Sequence, residues 1–183
     1  MNTMDHRVRT LSGTVAVIAV LICLTGPSFA ASCPVADTVR NAGSALMVAA
    51  RQSSAPAFDS VLARYADVNA IALFALGQYR GALPPAQRAE YVKNTERYIT
   101  RFLVENSGAF KNSQNLTIDS CDGGLAGTSL NGQSRMLWRL SGGRIRDVQV
   151  SGVWLGLELR SKFTEILRRN GGNVDALLSF LRG

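Results

Sequence analysis

Histidine is almost missing from this chain: the single one, His6, stands ahead of the first apolar run. From residue 31 onward no imidazole is available for a Ser-His-Asp triad, a Cys-His pair or a histidine metal site. The sequence also has no GxSxG elbow, no GxxxxGK[ST] phosphate loop and no GxGxxG turn. After residue 24 no apolar stretch approaches the length needed to cross about 30 Å of hydrocarbon. These gaps remove the commonest catalytic routes, so the sequence reads as a non-enzyme with neither cofactor nor metal. Asp119 and Asp122 flank Cys121 and could bind a cation or do acid/base work. The plainer reading is a pair of turn-forming aspartates, because no regular ligand spacing extends from them.

What is present begins with an export signal. Arg7 and Arg9 precede an uncharged apolar run over 15–24, and Gly26 and Pro27 then break any helix. Ser28-Phe29-Ala30 offers small residues at the two positions a signal peptidase reads, which predicts cleavage after Ala30. An uncleaved N-terminal anchor is the alternative. Residues 31–183 have the length of one domain. The chain carries 20 basic against 13 acidic side chains. In an exported protein this favours transient contact with anionic membrane surfaces over nucleic acid. The basic residues are scattered, however, and suit an ordinary solvated surface equally well. Cys23 falls in the signal, which leaves Cys33 and Cys121 either as one disulfide or as two separate buried thiols.

Hydrophobic periodicity divides the rest into a helical first half, a strand-rich middle and a helical end. Pro34 opens a helix over 34–52 with Val35, Val39, Ala42 and Leu46 in register. Phe58, Val61, Leu62 and Tyr65 form the next stripe. Asp67 caps a third helix over 68–76, which Gly77 ends; it is apolar almost all round and so should be buried on most sides. Pro84-Pro85 starts a long amphipathic helix with Tyr91, Thr95, Tyr98, Ile99 and Phe102 on one face. That helix should end near Ser107-Gly108 and is suited to covering a sheet.

From Gln114 the period becomes two. Leu116 and Ile118 alternate with polar neighbours, and Met136, Trp138 and Leu140 share a face. Ser141-Gly142-Gly143 predicts a tight hairpin into a strand over 144–152. Strict alternation there sets Ile145, Asp147 and Gln149 against Arg146, Val148 and Val150. The Gly-, Ser- and Thr-rich segment 122–132 reads as a weak strand or a loop. Helices follow over 155–169 and around Val174, Leu177, Leu178 and Leu181. The fold class is α+β, an antiparallel sheet of about four to five strands covered by several helices.

Several blocks then resemble one family. Leu76-Gly77-Gln78-Tyr79-Arg80 followed by Pro84-Pro85-Ala86-Gln87-Arg88-Ala89-Glu90-Tyr91 is similar to the "LG..wr...p.qr..f" block of the MlaC, or toluene-tolerance, family. Asp147-Val148-Gln149-Val150-Ser151-Gly152-Val153 resembles its "Dv.ieGvs" segment, and Leu159-Arg160-Ser161-Lys162-Phe163 through Ile166 its "yr.qF...i" helix. The likeness runs over 58–181 in matching order. The chain departs where the family usually has an acid at Ser151 and often a Trp near Gly143-Arg144-Ile145; the Cys33/Cys121 pair is also outside the pattern. Arg80 and Asp147 match family blocks and read as structural.

The resemblance implies a periplasmic phospholipid carrier, the lipid-binding component of an ABC-type transport system, likened to those that maintain outer-membrane lipid asymmetry. It would shuttle lipid between an outer-membrane lipoprotein complex and an inner-membrane transporter with MCE-type proteins, working as a monomer. A hopanoid-associated subgroup makes a sterol-like cargo an alternative. Such a carrier needs an apolar lipid pocket, because exposing two acyl chains of about thirty methylenes costs on the order of 24 kcal/mol. The expected sheet wall is Met136, Trp138, Leu140, Val148 and Val150. From the covering elements the candidates are Leu73, Leu76, Tyr98, Phe102, Val153, Trp154 and Phe163. Ordinary core packing accounts for each of them equally well. The competing readings are an adaptor whose sheet face is filled by its own helices, and a carboxylate enzyme with two convergent acids.

Overall fold

The computed structural model describes residues 33–183, so the export segment expected over 1–30 lies outside the described residues. Three helices open the fold: α1 (Ala36–Gln52), α2 (Ala55–Tyr65) and α3 (Val68–Ala75). α1 buries Val39, Ala42 and Leu46 at helical spacing and stops where Ser53 turns left-handed. Ser54 caps α2 by accepting the Ala57 N–H, and Pro56 sits in its first turn. Asp67 caps α3 through Oδ1, 2.9 Å from the Ala70 nitrogen. α4 (Arg88–Asn106) follows a short 3-10 turn at Pro85–Gln87, and α5 (Gly108–Lys111) extends the helical path slightly beyond the expected stop.

The sheet is an antiparallel meander in the order β1-β2-β3-β4-β5: β1 (Leu116–Asp122), β2 (Leu125–Leu130), β3 (Ser134–Ser141), β4 (Arg144–Val150) and β5 (Val153–Trp154). Gly142 and Gly143, both at positive φ, make the two-residue turn between β3 and β4, a geometry that suits the strand twist. The segment left open between strand and loop is therefore strand β2. Its small side chains allow cover on both faces, and five of its six positions are buried. Two-sided burial erases the polar alternation that marks a half-exposed strand. α6 (Leu155–Arg169) and α7 (Val174–Arg182) complete the chain. No helix among the described residues is long and apolar enough to cross a membrane.

β4 departs from strict alternation. Trp138 pairs with Val148 and Met136 with Val150, but the register then slips from Arg139↔Asp147 to Leu140↔Ile145. Arg146 is the additional residue of a bulge, and Ile145 shares the face of Leu140 instead of the opposite one. The bulge also brings β4 to the α2–α3 junction. The Asp67 N–H donates to the Ile145 carbonyl at 2.9 Å, and Arg144 Nη2 donates to the carbonyls of Ala63 and Ala66 at 2.7 and 2.8 Å.

Two apolar cores result. One joins α1 and α2 to the sheet through Val39, Leu46, Phe58, Trp138 and Leu140. The other joins α3, α4, α6 and α7 through Leu73, Leu76, Tyr91, Phe163, Leu167 and Leu177. At about 1.5–3 kcal/mol for each large side chain fully buried, both are substantial. α4 packs chiefly on α2, α3 and α7, while Leu103 and Val104 near its end pack against the core that includes the sheet. α3 is not buried all round: Phe74 is 41% exposed, with the Arg160 guanidinium 5.2 Å from its ring centre. That cation shields an apolar ring that the helical pattern alone assigns to the interior. A disulfide joins Cys33 to Cys121, pinning the start of α1 to β1 across a sequence separation of 88. Closing a loop of that length stabilises by about 4.6 kcal/mol in the chain-entropy model.

Candidate functional site

Between the two cores lies a hollow of about 500 Å³. Its sheet wall is Trp138, Ile145 and Val148. Val61, Leu62 and Tyr65 of α2 form one side, and Tyr98, Ile99, Phe102 and Leu103 of α4 another. Leu155 and Leu159 of α6 close it, with Leu46 and Ile71 behind. The volume falls within the roughly 300–1,000 Å³ that small-molecule sites occupy. A space lined this way offers water few hydrogen-bond partners and favours hydrocarbon instead.

The sheet wall stays apolar because its polar atom is satisfied sideways. Trp138 is fully buried, and its indole N–H donates to Thr128 Oγ1 on β2 at 2.8 Å. The ring is left free to act as wall. Tyr98 is held from outside the hollow by edge contact with Phe163 at 5.6 Å and a tilted contact with Phe180 at 5.6 Å. In the second core, burial pushes the Tyr91 phenol well above its ordinary pKa, so its hydroxyl stays protonated and donates to the Ala72 carbonyl at 2.7 Å.

Charged groups meet the hollow at a few points. Asp147 is 8% exposed, and its Oδ1 accepts the N–H groups of Val148 and Gly156 at 2.9 and 2.8 Å. The Gly156 N–H is one of the unpaired donors of the first turn of α6, so this carboxylate caps that helix from a neighbouring strand. Arg146 lines the hollow and pairs through Nη2 with Asp67 Oδ2 at 3.1 Å. Glu158 and Lys162, one turn apart on α6, are exposed lining residues. Phe102 and Val153 also line it while standing 38% and 46% exposed, which marks them as the apolar lip of an opening.

The sequence candidates separate into two groups. Tyr98, Phe102, Trp138, Val148 and Val153 line the hollow. Met136 and Leu140 are buried in the sheet core and Val150 packs against it, while Leu73, Leu76 and Phe163 belong to the second core. Trp154, also expected in the wall, sits under the Arg139 guanidinium 4.2 Å from its ring centre, away from the lining. It faces that way because β5 pairs it with Gln149, on the face opposite Val148. The stripe Val61, Leu62 and Tyr65 was visible as a helix face, but nothing in its spacing separates lining from packing. Arg146 carried a stronger signal: a cation on the same strand face as Val148 and Val150.

A five-stranded antiparallel meander covered by helices, with an apolar hollow between them, defines an α+β protein with an internal apolar cavity. The family model described as MlaC protein matches residues 41–183, and the chain belongs to the MlaC family. Among solved structures it is similar to the phospholipid-binding protein from Ralstonia solanacearum in complex with a phospholipid. The two share 18% identity at a TM-score of 0.63, covering 80% of this chain and 93% of that one, which establishes a shared fold. No curated protein sequence matches the chain.

Proposed function

We propose that this protein is a periplasmic carrier that sheathes the acyl chains of a phospholipid and shuttles it between membranes. The observation that carries the reading is the hollow itself, apolar on its sheet, α2, α4 and α6 sides and open at the lip formed by Phe102 and Val153. Burying tails there offsets a cost of about 0.8 kcal/mol for each methylene left in water. Family membership and the phospholipid in the Ralstonia solanacearum structure support the same cargo. By family resemblance the exchange points are an outer-membrane lipoprotein complex and an inner-membrane ABC transporter with MCE-type proteins. The expected cleavable signal over 1–30 would deliver the chain to that compartment.

Labelled phospholipid in donor vesicles, incubated with the protein and then with acceptor vesicles, tests the reading. Transfer should scale with protein concentration and fall to background in Val148→Trp, which fills the hollow from its sheet wall. No uptake by the wild-type protein from any donor vesicle would leave the hollow without its proposed role.

A further inference from the structure

Among the described residues, Arg146 is the one guanidinium in the wall of the hollow. The bulge of β4 supplies it as an additional residue, an arrangement that re-aims a side chain instead of continuing the ladder. It gives Asp67 a single contact, Nη2 to Oδ2 at 3.1 Å, while Asp67 Oδ1 is committed to the Ala70 N–H. Its Nε is buried with no acceptor. A guanidinium has five N–H donors, so most of this one is unspent. The side chain is 38% exposed, which puts it at the boundary between hollow and solvent. Of the other charges of the wall, Asp147 accepts two backbone N–H groups through Oδ1, and Glu158 and Lys162 stand exposed on α6.

We propose that Arg146 binds the phosphate of the lipid headgroup where its half-exposed side chain meets solvent, while the tails occupy the hollow. The inference rests on the lipid-carrier reading. A planar fork matches two phosphate oxygens at once, and charge-assisted bonds at a half-dry boundary are stronger than those in open water. The cargo class is therefore a phosphodiester lipid, preferred over an uncharged lipid with the same tails.

The test compares uptake of phosphatidylglycerol and of diacylglycerol with identical tails, each presented in neutral carrier vesicles. Wild-type protein should prefer the phosphate-bearing lipid by about tenfold or more. Arg146→Gln should lose that preference with diacylglycerol uptake unchanged, and Arg146→Lys should keep part of it. Asp67→Asn retains a good helix cap and should retain the preference, which separates phosphate binding from loss of the ion pair. Inorganic phosphate should compete poorly, since it brings no tails to the hollow. Persistence of the preference in Arg146→Gln, its loss in Asp67→Asn, or full displacement by inorganic phosphate would overturn the proposal. Equal uptake of both lipids by the wild type would sink this inference alone, whereas uptake of neither would sink the carrier reading with it.

Discussion

The carboxylate of Asp147 and the backbone N–H of Gly156 meet at 2.8 Å, tying strand β4 to the first turn of α6. The approach is close enough that a Cβ on Gly156 would come within 2.8 Å of Asp147 Oδ2. The pair sets the angle at which α6 leaves the sheet, and hence one wall of the hollow.

Gly156→Ala should destabilise the protein by about 1–3 kcal/mol through overpacking against that carboxylate. Asp147→Ala should cost about 1–2 kcal/mol, the worth of a lost helix cap. Because the two residues are in contact, the double variant should lose less than the sum of the single losses. Urea unfolding of the three variants measures this; strict additivity would show that the contact does not couple strand and helix.

The disulfide makes a separate prediction. Replacing Cys33 and Cys121 by serine should lower stability by about 4.6 kcal/mol in the chain-entropy model. Neither cysteine lines the hollow, so lipid uptake well below the unfolding midpoint should persist. Denaturant midpoints and vesicle uptake, each with and without the bridge, check both halves. Lost uptake in a folded variant would assign the bridge a part in shaping the hollow.

The chain has two tryptophans, and the fold gives them opposite surroundings. Trp138 lines the hollow, while Trp154 lies beneath Arg139 away from it. Filling the hollow should therefore alter the fluorescence of Trp138 alone. Trp154→Phe should keep the lipid-induced change and Trp138→Phe should abolish it. A change that survives in Trp138→Phe would place the ligand elsewhere.

Much of this was legible in the residues. The cap at Asp67, the hairpin at Gly142-Gly143 and the family blocks all mark the α+β order directly. β2 was obscured because small residues buried on both faces leave no period to read. Ile145 was set on the wrong face because a bulge adds a residue without any composition signal of its own. The site was harder to read than the fold. Phe163 and Tyr98 belong to similar helical stripes, yet one fills a core and the other faces empty space. Periodicity reports which side of a helix avoids water; it does not report whether another side chain waits there. That depends on how two cores are spaced, which is a property of the tertiary structure.

Mass spectrometry under native conditions, on protein expressed with its own export signal and purified without detergent, tests the central claim most directly. The account predicts a mass increment of one lipid per chain, released on unfolding and identified as a phospholipid by fragmentation. A chain that emerges with no bound lipid, and that still takes up none from liposomes, would contradict it and favour an adaptor whose hollow has no cargo.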